Sequence, residues 1–263
     1  MDFKNKVVWI TGASSGIGKA LSIALSKHNC KLILSSRNEN TLLATKNECN
    51  NSKDIEILPF DLTEYTKMKA IVKKAESLFG TIDVLINNGG ISQRSLIIDT
   101  DISVDKKLMD VDYLGTVALS KALLPYFISR QNGYYVTVTS LMGKFSSPYR
   151  SAYCGAKHAL HGFFDALRLE HEKDQIKVTI ICPGFVNTNI ARNALTSDGS
   201  SQTEQDKATE NGLDVNVFVK RMLRAIKNEK FEAYIGKGET KGVYVKRFFP
   251  KLLHKLVLKS KVR

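Results

Sequence analysis

The 263 residues, 43% apolar and 25% charged with a formal net charge of +13 at pH 7, fit one large α/β unit or two small ones and exclude a disordered or fibrous chain. No apolar run approaches the roughly 18 residues of a membrane-spanning helix. Four scattered cysteines (Cys30, Cys49, Cys154, Cys182) with no C-x-x-C pair argue against a disulfide framework and predict a cytoplasmic protein with reduced thiols.

In chain order, residues 1–6 lead straight into an apolar run, Val7-Val8-Trp9-Ile10, leaving no stretch that reads as a secretory signal. Thr11-Gly12-Ala13-Ser14-Ser15-Gly16-Ile17-Gly18 follows, then a helical pattern of Ile17, Ala20, Leu21, Ala24 and Leu25. A strand, a glycine-rich turn and a helix aim backbone N–H groups and a helix N-terminus at a phosphate. The spacing G-x-x-x-G-x-G differs from the commonest dinucleotide fingerprint. It is no P-loop either, because Ala20 stands where that motif needs Ser or Thr. Further strand candidates lie at 31–36, 55–60, 82–87, 133–140, 176–182 and 231–235. Helical patterns lie at 16–28, 39–50, 63–79, 103–130, 151–173 and 214–228. This alternation predicts a single α/β domain: a doubly wound, seven-stranded parallel sheet with helices on both faces. The polar stretch 189–214 has little periodicity and reads as a mobile substrate lid.

Open parallel sheets bind ligands at the carboxyl ends of their strands. The unusual residues fall there repeatedly: Thr11-Gly12, Asp61, Asn87-Asn88-Gly89-Gly90, Ser140 and Pro183-Gly184. After Ser140 comes Tyr153-Cys154-Gly155-Ala156-Lys157, whose Tyr and Lys share a helix face at i, i+4. An ammonium beside a phenol stabilises phenolate, and a tyrosine so placed can exchange a proton with an alcohol or carbonyl oxygen. His158 and His161, at i, i+3 with no third ligand, read as packing or surface residues, so no metal site is expected.

TGASSGIG at 11–18, NNGG at 87–90, Ser140, YCGAK at 153–157 and PGFVNT at 183–188 resemble the short-chain dehydrogenase/reductase family over about residues 4–235. Twelve residues separate Ser140 from Tyr153, the family's own gap. The resemblance implies a Rossmann domain over 1–236 and hydride transfer between a nicotinamide and a carbonyl or secondary alcohol. Tyr153 would be the general acid or base, Ser140 would hold the substrate oxygen, and Lys157 would tune Tyr153 and bind the nicotinamide ribose. The implied cofactor site comprises Gly12, Ser14, Ser15, Gly16, Ile17, Gly18, Arg37, Asp61, Leu62, Asn87, Gly89, Tyr153, Lys157, Pro183, Gly184, Val186 and Thr188. NAD-selective members carry an acid at the end of the second strand. Ser36 stands there instead, followed by Arg37, a partner for a 2′-phosphate, so NADP(H) is the expected cofactor rather than NAD(H). Gly89 replaces the usual alanine, and Asp112 replaces the asparagine of the family's proton relay. Two classes of function therefore fit: a carbonyl reductase, or an NADP-binding regulatory or scaffold protein whose catalysis Asp112 impairs.

The helix around Tyr153, from Arg150 to Arg168, and the pieces Asn187-Thr188-Asn189 and Asp198-Gly199-Ser200 are most similar to the family's member-seven branch. Animal members of that branch are membrane-associated and act on lipophilic carbonyls, through an N-terminal anchor not seen here; the resemblance carries over a lipophilic bias in substrate. It also implies a homodimer or homotetramer through the helices at 103–130 and 151–173. Residues 237–263 form a basic extension with nine Lys/Arg against one acid, Glu239. Apolar pairs four residues apart, with lysines between, describe an amphipathic helix kinked or restarted at Pro250. It either packs on the protein or a partner subunit, or makes peripheral contact with a membrane surface. No nucleic-acid motif accompanies the charge.

Overall fold

The computed structural model describes residues 1–260. Seven strands form one sheet: β1 (Val7–Thr11), β2 (Lys31–Ser35), β3 (Ile55–Ile57), β4 (Val84–Asn87), β5 (Gly133–Val138), β6 (Ile176–Pro183) and β7 (Glu232–Ile235). Their order is β3-β2-β1-β4-β5-β6-β7, with every neighbouring pair parallel. The chain order reverses between β1 and β4, which opens a crevice at their carboxyl ends.

Alternation along each strand builds two cores. Val8, Ile10, Leu32, Leu34, Val84 and Ile86 face one way, into a cluster with Leu21 and Leu25 of α1 (Gly16–Leu25), Leu42 of α2 (Glu39–Glu48) and Phe218 and Met222 of α8 (Val215–Lys227). Val7, Trp9, Ile33 and Leu85 face the other way, against Val72 of α3 (Met68–Phe79), Leu123 and Phe127 of α5 (Thr116–Ser129) and Phe164 of α6 (Ser151–Glu170). Because both faces are covered, the central strands read as unbroken apolar runs.

Two stretches differ from the sequence expectations, and a third takes one of its two expected courses. The helix expected over 103–130 is broken into α4 (Ile102–Leu108) and α5 by a π-helical turn, Met109–Gly115. That turn brings Asp112 inward to full burial. The stretch 189–214 is no bare loop. It carries the short helix α7 (Lys207–Glu210) and β-bridges to Gln93 and within itself, and it buries Ala191, Ala194, Leu195, Gln202, Asp206 and Thr209. Its polar residues find their partners across the fold, which local periodicity does not record. Residues 237–260 follow the expected helical pattern, restarted at Pro250, and pack on the protein. They form α9 (Gly242–Phe248) and α10 (Pro250–Lys259), with Pro250 tolerated in the first turn of the second helix. Leu253 is buried in the second core, and Val243, Val245 and Val257 pack against it. Among the described residues no helix is long and apolar enough to cross a membrane.

Candidate active site at the carboxyl edge of the sheet

A cavity of about 980 Å³ runs along the carboxyl ends of the strands. Its walls include Gly12, Ser14, Ser15, Gly16, Ile17, Arg37, Asp61, Leu62, Gly89, Ser140, Tyr153, Lys157, Pro183, Gly184, Val186 and Thr188. Three expected residues, Gly18, Asn87 and Asp112, stand behind that lining and shape it.

At one end the turn after β1 is held open by glycine geometry. Gly12 and Gly16 have φ of +64° and +51°, a region open to glycine at no steric cost. A Cβ on Gly18 would meet the Gly12 carbonyl oxygen at 2.1 Å, so α1 can lie this close to β1 only without a side chain there. Ser15 precedes α1 without a side-chain cap, leaving the first-turn amides directed at the cavity end. Asn88, not Asn87, sews this turn to β4. Its side chain donates to the carbonyls of Thr11 and Gly12, while the Thr11 hydroxyl accepts the N–H groups of Asn88 and Gly89. Asn87 points away from the cavity and donates to Ser120 on α5, 3.1 Å distant. Gly89 fits beneath Leu62, whose Cδ1 would lie 2.9 Å from an added Cβ. Arg37 is exposed at the end of β2, and among the described residues no carboxylate pairs with it. Asp61 accepts the N–H and hydroxyl of Thr63, both at 2.8 Å.

At the other end Ser140, Tyr153 and Lys157 share the cavity wall. The Ser140 Oγ accepts the Met142 N–H at 3.1 Å, which leaves its own proton free to be donated into the cavity. Lys157 lies one turn beyond Tyr153 on α6, with its Nζ 5.6 Å from the tyrosine ring centroid. The same Nζ is 3.2 Å from Oδ2 of Asp112, and Oδ1 accepts the Ile91 N–H at 2.7 Å. Burial opposes charge on Lys157, but the carboxylate of Asp112 and the neighbouring phenol outweigh it and hold its pKa above the ordinary lysine value. Asp112's carboxyl is pushed up by burial, against the pull of Lys157 and the Ile91 N–H. Gly90 makes room for this pair, since a Cβ there would sit 3.2 Å from both Nζ and Oδ1.

Several residues of the site carry no signal in the sequence. Gln93, fully buried, turns its Oε1 to the first-turn N–H groups of Ala152 and Tyr153 and its amide to Ser151, so it anchors the start of the helix that presents Tyr153. Arg94 and Arg150, both on the cavity wall, share the carboxylate of Asp206 from the stretch 189–214, at 2.7 and 3.2 Å. Burial and the neighbouring Arg94 lower the Arg150 pKa to about 10, although Asp206 opposes them. Glu239 reaches back from the tail to accept the N–H of Phe185, filling space that a Cβ on Gly184 would block at 2.1 Å. Only the glycine at 184 hints at that contact.

The two histidines separate. His158 contacts the Cys154 carbonyl, 2.8 Å away. His161 is buried beside Cys182 and Glu232, with ligand-type atoms of the three within 4.8 Å of one another, a grouping invisible in sequence. Lys144 lies 2.6 Å from the same carboxylate and already supplies its positive counter-charge. Burial and the Lys144 ammonium lower the His161 pKa to about 4. All four cysteines are free, and Cys30, Cys154 and Cys182 are buried.

Comparison with known proteins agrees with this geometry. A family model described as short chain dehydrogenase matches residues 6–199. The chain is 41% identical to human dehydrogenase/reductase SDR family member 7 over 240 residues, 89% of this chain and 71% of that protein. It is 37% identical to mouse member 7B over 260 residues, 97% of this chain and 80% of the mouse protein. In fold it resembles a Burkholderia phymatum short-chain dehydrogenase/reductase in complex with NAD, with a TM-score of 0.84 at 19% identity over 96% of both chains. A Burkholderia cenocepacia short chain dehydrogenase in complex with NADP gives a TM-score of 0.80 at 21% identity, over 99% of this chain and 100% of that one. The chain thus belongs to the short-chain dehydrogenase/reductase family, in its member-seven branch, and is an oxidoreductase of the CH–OH/C=O class.

Proposed function

We propose that the chain is an NADP(H)-dependent reductase of lipophilic ketones or aldehydes. The observation that carries this reading is the single cavity joining the glycine turn and Arg37 to Ser140, Tyr153 and Lys157. The residues present fit a dinucleotide. Both turn glycines have positive φ, a Cβ on Gly12 would lie 2.8 Å from the Gly89 Cα, the first turn of α1 offers amides to a pyrophosphate, and Asp61 and Leu62 would flank the adenine end. Thr188 lies against Gly16 and would hold the carboxamide side. When bound, the nicotinamide supplies the hydride that reduces the carbonyl carbon.

Everything else falls to the chain's own groups. Ser140 donates its free proton as a hydrogen bond to the substrate oxygen. Tyr153 delivers a proton to that oxygen as negative charge develops on it. Lys157 keeps a positive charge beside the phenol, and Asp112 keeps Lys157 charged despite burial. Met142, Phe145, Ile190, Val245, Leu253 and Leu256 wall the cavity, which supports an apolar substrate. Exposed Leu114 and Leu169, near and on the helices α5 and α6, support a homo-oligomer.

Preference for NADP(H) rests on Arg37, a cation on the cavity wall with Ser36 where an acid would repel a phosphate. Arg37→Ala is expected to raise the NADPH Michaelis constant roughly ten- to hundredfold, the worth of one charge-assisted hydrogen bond, and to leave that for NADH nearly unchanged. An unchanged NADPH constant refutes the assignment.

A further inference from the structure

The helices α9 and α10 have two faces with different fates. The inner face carries Leu253 and Val257 onto the core and the cavity wall. The outer face carries Tyr244, Phe248, Leu252 and Leu256, spaced four residues apart, with Phe249 beside them; all are about half exposed or more, and Phe248 and Phe249 reach 68% and 63%. These five, with Leu258, lie within fifteen residues, and no other fifteen-residue stretch of the described residues carries as many exposed large apolar side chains. Residues 240–260 also hold six Lys/Arg and no acid. Among them Lys246, Arg247, Lys251, Lys255 and Lys259 are exposed. Aromatic and leucine side chains flanked by lysines match an anionic lipid interface, where rings enter the headgroup region and ammonium groups meet phosphates. Leu256 belongs to both surfaces: it is exposed on the outer row and lines the cavity.

We infer that α9 and α10 seat the protein on an anionic bilayer surface, with the cavity mouth against the bilayer so that an apolar substrate enters from the lipid. The entry route rests on the reductase reading above; the seating does not. The charge complementarity selects an anionic bilayer over a second copy of this basic face, which would repel itself.

The full chain is mixed with sedimentable vesicles of phosphatidylcholine, or of phosphatidylcholine with phosphatidylserine, at physiological ionic strength. The expected result is co-sedimentation with the anionic vesicles and more than tenfold weaker partition into the neutral ones. Phe248→Ser/Phe249→Ser and, separately, Lys251→Glu/Lys255→Glu are each expected to weaken anionic partition more than tenfold. Turnover of a short water-soluble ketone without vesicles should match wild type in both variants, because none of these side chains lines the cavity. Absent or charge-independent binding, or variants that bind like wild type, overturns the inference. So does a vesicle-free dimer that Phe248→Ser/Phe249→Ser dissociates, which would make this face a subunit interface. Failure of wild type on every carbonyl contradicts the reductase reading alone, and the sedimentation result still decides the seating.

Discussion

Asp112 and Lys157 form a buried charged pair 3.2 Å apart where the family resemblance calls for asparagine. The carboxylate raises the lysine's pKa, so its removal lowers it. Asp112→Asn keeps an oxygen for the Ile91 N–H, so the fold should survive the change. Lys157 then loses its proton at lower pH, and the alkaline limb of the pH–rate profile for carbonyl reduction is expected to move down by roughly one unit or more. Superimposable profiles would deny Asp112 any electrostatic part. His161 provides a separate readout of burial. Its folded pKa of about 4 lies below the ordinary 6.5, so the unfolded chain binds a proton that the native state refuses as pH falls through 6.5. The stability contributed by the neutral, buried imidazole is complete above 6.5 and is lost down to about 4, on the order of 3 kcal/mol. Denaturant unfolding across that window should show the loss in wild type and a flatter dependence in His161→Gln; equal slopes would mean the imidazole is charged in the native state.

The stretch 189–214 shows how an element unpatterned in sequence becomes ordered by distant partners. Asp206 sits fully buried between Arg94 and Arg150, and its bond to Arg94 spans 112 residues of chain. Asp206→Asn leaves two buried guanidinium groups without their shared carboxylate. Breaking a buried pair in this way costs about 3–5 kcal/mol when a charge stays behind. The expected outcome is a lower melting temperature and faster limited proteolysis within 189–214, with Gln93 still holding the start of α6. Wild-type proteolysis rates would show that the Asp206 ion pairs do not order this stretch. The strands, by contrast, were legible as apolar runs. So was the site's edge, because the turn glycines, Ser140 and the Tyr–Lys pair are each encoded within a few residues. The π-helical turn, Gln93, Asp206 and Glu239 were not legible. Each acts through a partner brought in by tertiary packing, and no short-range spacing encodes that.

At the scale of the whole molecule, a seven-stranded parallel sheet sets one open edge, and residues of 189–214 and of the tail line the cavity there. The glycine turn lies at one end of the cavity and Ser140, Tyr153 and Lys157 at the other. The residues after 236 pack on the body, since Glu239 accepts the Phe185 N–H and Leu253 enters the second core. This arrangement makes one claim above the rest: Tyr153 passes the proton during carbonyl reduction. Initial rates of NADPH oxidation with a panel of lipophilic ketones and aldehydes, wild type against Tyr153→Phe, test it most directly when NADPH binding is followed in parallel by fluorescence. Measurable wild-type turnover and a fall of roughly 10²–10⁴-fold in Tyr153→Phe with NADPH binding retained are expected. Turnover that survives in Tyr153→Phe, or wild type that binds NADPH and reduces no carbonyl, would contradict it.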